Sequence, residues 1–377
     1  MNQFFSYIAL ITVVLLSSCK NELDVLAPGK EMVSVYAVLN PNTSVQNIRI
    51  NKVFVTTGDA NVAATEEKSV NYNAGELIVT LERYVNGNKD YTTKNNTSKK
   101  EIVLTETVVT TTNGAFSNQQ RIWQTSDRLI PSGEYKLIIK KAADNTEIAS
   151  ARTIMIDSVS TSATASNSNP FSYLPNNPTA YPMHPLPEPL NTTDKPKYLD
   201  WSNLIQNKTI PIKSVSGGKL YTMLIRLHYT DTLLNNSTVS QFIDMSLSQA
   251  VVKKLDGSEV IQDFKLNPIK EFYNNISLEM QKKGNTNIKK RKIEYISILV
   301  SVATDNLYTF LQVNAPSTSI AQDKPYYTNI TNGVGVFACT STSYVSKDLW
   351  STFIDEIACN LITKPYLFCK FSTGNPC

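Results

Sequence analysis

The amino-acid sequence predicts a mainly β protein built from two antiparallel β-sandwich domains, and three observations support this class. Strand-forming residues are common, with 18 Tyr in 377 residues against only 13 Gly. Short segments in which apolar and polar residues alternate recur along the chain, with turn residues between them. A segment rich in Pro, Ser and Asn, residues 158–197, separates these segments into two groups. Short strands at regular spacing are typical of immunoglobulin-like sandwiches.

The N-terminus has the pattern of a secretory signal peptide, which we place at residues 1–18. A nine-residue apolar run ends at Leu16 and is about half as long as a helix that crosses a bilayer. Two serines then precede Cys19, so the segment resembles the signal peptides of bacterial lipoproteins. The resemblance implies cleavage before Cys19 and attachment of lipid to its sulfur, with residues 19–30 as a lipidated leader.

Residues 1–7 depart from this pattern because they contain neither Lys nor Arg. The alternative is an ordinary cleavable signal in which Cys19 is incidental. No later segment reaches the ~18 consecutive apolar residues of a membrane-spanning helix. The lipid on Cys19 is therefore the membrane attachment that the sequence predicts.

The first sandwich domain is predicted at residues 31–157. Its segments alternate with a period of two, as strands with one buried face do. The Pro-Ser-Gly-Glu segment at residues 131–134 predicts a turn between two of them. The predicted strands cover residues 33–38, 45–55, 76–84, 121–123, 135–139 and 152–156.

Residues 158–197 are predicted to form a linker, because their eight prolines fix φ and lack a backbone donor. The alternative is a long ordered loop along one domain. The second sandwich domain follows at residues 198–338, with strands predicted at residues 220–229, 241–248 and 293–303.

One or two short helices are expected in the second domain. Asn267 and Pro268 form a helix start, and the apolar spacing that follows predicts a helix at about 268–283, ending before Gly284. Asp305 is a candidate cap for a second helix. The basic run at residues 289–292 is predicted to be a solvated turn between helix and strand, with contact to lipid headgroups as the alternative.

Four cysteines lie in a C-terminal tail at residues 339–377. Because an exported chain meets an oxidising compartment, this even set predicts two disulfides, and three pairings stay open. Free thiols are the alternative. The spacings of 20, 10 and 8 residues lack the short pairs of a zinc site, so we expect no metal. The four residues are Cys339, Cys359, Cys369 and Cys377.

Charge and motif content disfavour several other classes. The net charge of +4 is small and dispersed, which does not favour nucleic acid as a partner. The segment Asn332-Gly333-Val334-Gly335 lacks the third glycine of a dinucleotide site, so we predict a turn or bulge in which glycine permits positive φ. We therefore expect no cofactor.

Catalytic patterns are equally weak. His184 lies in the linker, and His228 lies on the outer face of a predicted strand. No G-x-S-x-G elbow accompanies either histidine, and the carboxylates are scattered, so no hydrolytic site is predicted. We expect the protein not to be an enzyme.

Several segments together resemble an uncharacterised family of Bacteroidota outer-membrane lipoproteins. They are residues 36–41, 48–52, 226–229, 327–330 and 332–337. The resemblance spans roughly residues 30–338, and the cysteine-bearing tail is additional to it. It implies an envelope lipoprotein attached to the outer membrane and sometimes associated with large outer-membrane transporters. It implies no activity and does not say which side of the membrane the protein faces.

Two short segments resemble the O-glycosylation acceptor of exported Bacteroidota proteins. They are Asp157-Ser158-Val159 and Asp231-Thr232-Leu233. Ser158 and Thr232 are therefore candidate acceptors.

The sequence thus favours a lipid-anchored cell-envelope protein with a binding or accessory role. Its expected partners are the membrane, through the N-terminal lipid, and an outer-membrane transporter or surface protein. The alternatives are a surface hydrolase acting on polysaccharide and an adhesion component. A cleft with convergent carboxylates and aromatic walls would favour the hydrolase, and a flat surface would favour binding.

Overall fold

A computed structural model describes residues 32–53, 62, 65–92, 99–110, 119–157, 159, 184–185, 208–209, 212–261, 263–315 and 326–377. Within these residues the protein is mainly β, with several antiparallel sheets, as the sequence predicts. The predicted signal peptide, the leader and nearly all of the predicted linker lie outside the described residues.

Strands dominate both halves of the chain. The first half contains β1 (Met32–Leu39), β2 (Gln46–Val53), α1 (Glu67–Val70), β3 (Leu77–Val85), β4 (Asn88–Asp90), β5 (Glu101–Val103), β6 (Thr105–Thr110), β7 (Gln119–Thr125), β8 (Glu134–Lys141) and β9 (Glu147–Ile154). Each strand predicted here is present, and the short strands β4 to β6 are additional.

The second half has longer strands and more helix. The strands are β10 (His184–Pro185), β11 (Lys208–Thr209), β12 (Ile212–Lys213), β13 (Gly218–Leu233), β14 (Thr238–Val251), β15 (Val260–Ile261), β16 (Lys265–Leu266), β17 (Ile288–Thr304), β18 (Ile330–Thr331) and β19 (Gly333–Lys347). The helices are a π-helical turn at Pro268–Tyr273, α2 (Asn274–Lys283), α3 (Asp305–Asn314), α4 (Ser351–Cys359) and a 3-10 turn at Lys364–Tyr366.

One large sheet contains strands from both predicted domains. Its order is β14-β13-β17-β19-β1-β2-β7-β6, and β10 pairs with β19 beside this path. A second sheet has the order β18-β9-β8-β3-β4, with β5 also on β3, and the pairs β11-β16 and β12-β15 stand apart. The two halves of the chain are therefore joined by backbone hydrogen bonds.

The main join is the parallel pairing of β1 with β19, from Val33 opposite Gly333 to Leu39 opposite Cys339. The short pairing of β18 with β9, with Ile330 opposite Ala151, is a second join. In the described part of the chain, every other pair of these strands is antiparallel. Gly335 has φ +107°, and a Cβ there would lie 2.0 Å from the Val35 carbonyl oxygen. The positive φ predicted for this glycine pair is confirmed at Gly335, although both glycines lie within a strand.

The first half packs two sheets face to face. Inward residues of β1, β2 and β7 meet those of β3, β8 and β9, as alternation with a period of two requires. Representative core residues are Val35, Ile50, Trp123, Val79, Leu81, Leu137, Ile139 and Ala149, all buried.

In the second half, helices and the C-terminal residues cover the inner face of the sheet. The π-helical turn and α2 together span the predicted 268–283, and Gly284 ends the helix with φ +70°. Phe272, Ile276 and Met280 are buried, as their spacing predicts. Phe272 also packs against Phe353 of α4, with ring centroids 5.5 Å apart.

The C-terminal tail is part of the fold, so the boundary predicted between residues 338 and 339 is wrong. Strand β19 runs through it, and α4, which the sequence analysis missed, buries Phe353, Ile354, Ile357 and Ala358. Farther along, Phe368 is buried and packs edge-on against Tyr229 of β13 at 5.7 Å.

The basic run at residues 289–292 is not a turn, since it lies within β17. Arg291 points inward and its side chain is 1% exposed. Its guanidinium donates to Asp231 Oδ1 at 3.0 Å and to Asn285 Oδ1 at 2.6 Å. It also donates to the carbonyl oxygens of Tyr366 at 2.7 Å and Gly284 at 2.8 Å. A buried cation needs such partners, and here they come from a strand, a helix end and the tail.

We predict that Arg291→Ala destabilises the protein by about 3–5 kcal/mol, because it leaves the buried Asp231 carboxylate without its cation. Denaturant unfolding measures this change. Lys289→Ala is the matched control, since Lys289 is exposed on the same strand and should change stability by less than about 0.5 kcal/mol. Equal effects of the two substitutions would contradict the buried role of Arg291.

Candidate binding surface

The outer face of the sheet at β13, β14 and β17 carries a cluster of aromatic and charged side chains. His228 lies opposite Phe242 on one side and Tyr295 on the other. One row along, Arg226 lies opposite Asp244 and Ser297. Opposite residues of antiparallel strands point to the same face. We call this group the outer-face cluster: Arg226, His228, Phe242, Asp244, Tyr295 and Ser297.

The alternation of buried and accessible residues along β13 places the cluster on the outer face of the sheet. Tyr221, Met223, Ile225, Leu227 and Tyr229 are buried on the inner face, so Arg226 and His228 project outward, as predicted.

A β-bulge completes the cluster. The register between β13 and β17 shifts between His228 and Tyr229, which lie opposite Tyr295 and Ile293. Glu294 is the extra residue, so two successive side chains, Glu294 and Tyr295, both face outward. Thr230 Oγ1 donates to Glu294 Oε1 at 2.9 Å, and Tyr295 stacks on His228.

Arg226 and Asp244 form a forked ion pair. Nε donates to Oδ1 at 2.6 Å and Nη2 donates to Oδ2 at 2.7 Å. The hydrogen bond to Asp244 raises the pKa of Arg226. The guanidinium also lies over the Phe242 ring, 4.1 Å from its centroid, so one side chain links an acid and an aromatic ring.

The imidazole of His228 is held from two sides. Its ring is 4.1 Å from the Tyr295 ring at an interplanar angle of 18°. Its Nε2 is 3.0 Å from Ser297 Oγ, which in turn is 2.8 Å from Ser346 Oγ. Ser297 is fully buried, so its hydroxyl is out of reach of a substrate in this structure. The contact therefore fixes the orientation of the imidazole on the sheet.

Phe242 is the exposed part of the cluster, with 47% of its surface accessible. It lies on β14, which is the terminal strand of the large sheet. Lys283 at the end of α2 donates to the Phe242 carbonyl oxygen at 2.9 Å and to Gln241 Oε1 at 3.2 Å. A rigid strand and a helix end thus hold an exposed aromatic ring beside a paired arginine.

A small pocket lies elsewhere, at the start of α3. Its volume is about 60 Å³, which is room for a few water molecules and well below the size of a ligand pocket. It is lined by Ile154, Gly217, Leu255, Thr304, Asp305 and Asn306.

The described residues contain neither a metal-binding cluster nor a membrane-spanning helix. No set of three or more His, Cys, Asp and Glu side chains in them could hold a metal ion. None of their helices is both long and apolar enough to cross a membrane.

The other site residues predicted from the sequence either lie at separate places in the fold or fall outside the residues that the structure describes. Cys19 and Ser158 are outside them. Thr232 is half-buried near the end of β13. His184 pairs with Tyr344 through the short strand β10. The structure therefore brings together His228 and its strand neighbour Arg226, and among the described residues none of the other site candidates joins them.

The prediction of two disulfides is wrong. Cys359, the last residue of α4, is bonded to Cys377, with a Cα–Cα distance of 5.2 Å. Cys339 and Cys369 are free and buried. Cys339 lies within β19, where Ile156 N–H donates to its sulfur at 3.4 Å, and burial raises its pKa to about 12. An even count of cysteines could not reveal that one of them is a core residue of a strand.

Sequence reasoning missed Phe242, Asp244 and Tyr295 as members of one site. Their strands were predicted, but pairing across strands fixes which residues meet, and that register depends on the fold. One local signal was present in the segment Ile293-Glu294-Tyr295-Ile296. Two polar or aromatic residues stand there between two buried isoleucines, which is the pattern that a bulge produces.

No protein-family model and no curated protein matches the chain.

We predict that peptide mapping of the unreduced protein recovers one crosslink, between Cys359 and Cys377. Alkylation should modify Cys339 and Cys369 only after unfolding, because both thiols are buried. Replacing the bonded pair by serine opens a loop of 18 residues and should cost about 3 kcal/mol. A crosslink between Cys339 and Cys369 would contradict the structure.

Proposed function

We propose that the protein is a lipid-anchored cell-envelope binding protein that docks a partner protein on the outer-face cluster, with no chemistry of its own. The observation that carries this proposal is the half-exposed Phe242 ring, held against the forked pair of Arg226 and Asp244.

The composition of the cluster supports recognition of a protein. Arginine and large aromatic residues dominate the binding energy of protein interfaces. The Arg226 side chain is 25% exposed and already oriented, so little conformational entropy remains to be lost when a partner covers it. His228 and Tyr295 add a stacked pair beside it.

The scaffold also supports binding. Each member of the cluster lies on one of three hydrogen-bonded strands, and the sheet beneath is packed against the core. Sites on strands keep their geometry better than sites on loops. A cluster on the face of a sheet suits a protein partner, whereas a small ligand needs a concave pocket.

The proposed location of the protein, at the outer membrane, rests on the sequence. Cys19 follows a signal-like apolar run, and the resemblance to Bacteroidota lipoproteins suggests the outer membrane as the site of attachment. The same resemblance makes a large outer-membrane transporter the partner that we propose.

Photo-crosslinking in cells tests the proposed surface. A photoreactive residue in place of Phe242 should crosslink to a membrane partner. The same residue in place of Val251 should not, although Val251 is 43% exposed on the outer face of the same strand. Arg226→Ala, combined with the probe at position 242, should reduce the crosslink about tenfold, because a central arginine is worth ~1–2 kcal/mol or more.

A crosslink of equal yield at positions 242 and 251, or none at position 242, would contradict the docking surface. Cys19→Ala tests the proposed membrane attachment separately from the docking surface. It should release the protein from the membrane fraction without changing its fold. Retention of the Cys19→Ala chain in that fraction would contradict the lipid anchor while leaving the surface test intact.

A further inference from the structure

Helix α3, Asp305–Asn314, is apolar yet buries none of its residues. Leu307, Tyr308, Phe310, Leu311 and Val313 make up half of the helix, and no member of the helix is buried. It contains no Lys or Arg. Leu307, Tyr308, Phe310 and Val313 are half-buried and Leu311 is exposed. A surface helix of a folded domain normally hides its apolar stripe against the core, so this helix leaves part of that stripe accessible.

The exposed surface continues from the helix onto strand β1. The outward row of β1 is Met32, Ser34, Tyr36 and Val38, of which Met32, Tyr36 and Val38 are exposed. Tyr36 meets Phe310 edge-on, with ring centroids 6.1 Å apart. Burial, and then the nearby Tyr36, raises the pKa of Tyr326, so these two side chains lie in the same neighbourhood.

These residues form one surface, which we call the apolar patch: Met32, Tyr36, Val38, Phe310, Leu311 and Tyr326. Soluble surfaces rarely keep large apolar side chains side by side unless they meet a protein or a membrane. Tyrosine is well suited to a membrane interface, because its ring enters the apolar region while its hydroxyl stays with water and headgroups.

The position of the patch along the chain indicates its occupant. Met32 is thirteen residues after Cys19 (32 − 19 = 13). Thirteen residues span at most about 45 Å even when fully extended. A lipid on Cys19 therefore keeps the start of β1, and with it the patch, within reach of the bilayer surface.

We propose that the apolar patch docks on the lipid bilayer, with Tyr36, Phe310, Leu311 and Tyr326 entering the headgroup region. This inference rests on the proposed lipid anchor, which supplies the proximity, while the patch supplies the orientation. The lipoprotein resemblance implies several acyl chains on Cys19, which attach the protein stably but leave it free to rotate, and the patch fixes which side of the protein faces the membrane.

Hydroxyl-radical labelling of tyrosines, with mass-spectrometric detection, tests the docking. The sample is the full lipidated chain in vesicles of phosphatidylethanolamine and phosphatidylglycerol, compared with the Cys19→Ala chain in solution. Labelling of Tyr36 and Tyr326, which are 47% and 69% exposed, should fall several-fold in the vesicles. Tyr91 is 41% exposed outside the patch and should be labelled equally in both samples. Equal labelling of the patch tyrosines would overturn the proposal.

Charged variants sharpen this comparison. Leu311→Glu combined with Tyr326→Glu should restore labelling of Tyr36 in vesicles, because burying carboxylates among headgroups is unfavourable. Leu234→Glu is the matched control, since Leu234 is also an exposed leucine, 65% accessible against 48% for Leu311, but lies away from the patch. Restoration by the control as well, or by neither variant, would overturn the proposed contact.

Two other outcomes are distinguishable. Protection of Tyr36 in the soluble Cys19→Ala chain that disappears on dilution would assign the patch to a second copy and overturn membrane docking. Intact mass shows separately whether Cys19 carries lipid. If Cys19 carries no lipid, the anchor proposal fails. The membrane contact of the patch is then tested by adding the same vesicles to the unlipidated chain and labelling its tyrosines. Protection then supports the patch, and its absence overturns it.

Discussion

The architecture depends on one close approach between two backbones. At Gly335 a strand from the end of the chain lies so near to Val35 on β1 that a Cβ would fall 2.0 Å from a carbonyl oxygen. That approach allows the parallel pairing of β1 with β19, and this pairing joins strands of both halves into one sheet. The core residues accordingly form one cluster that extends through both halves. The two domains predicted from sequence are thus linked through a shared strand.

A second constraint holds the other end of that sheet. Arg291 is buried between β13, the end of α2 and the tail, and its hydrogen bonds tie these three parts together. The inner face of β13 is therefore closed by Phe368 and the helices, which leaves the outer face free to carry Arg226, His228 and their neighbours. The geometry that we propose for partner binding follows from this arrangement, because a sheet packed on one side presents the other.

Local patterns in the sequence predicted most strands and the helix at 268–283. Alternation of apolar and polar residues marks a strand, and a proline at the start with a glycine at the end marks a helix, so both signals lie within the element itself. They could not predict that β19 passes residue 338, because its pairing with β1 joins residues some three hundred positions apart. Four consecutive basic residues likewise suggested a solvated turn at residues 289–292, although β13 places Asp231 opposite Arg291. Of the candidate site, His228 was placed correctly on the outer face, whereas its neighbours from β14 and β17 depend on register.

The most direct test of this account is hydrogen exchange in Gly335→Ala. The added Cβ should break the β1–β19 pairing, so strands β3 and β8 in one half and β13 and β14 in the other should lose protection together. Gly75→Ala is the control, because Gly75 also has positive φ but has open space around it, and should cost only about 1–2 kcal/mol. Loss of protection in one half alone, or an effect no larger than that of Gly75→Ala, would contradict the claim that the β1–β19 pairing is the main join between the two halves.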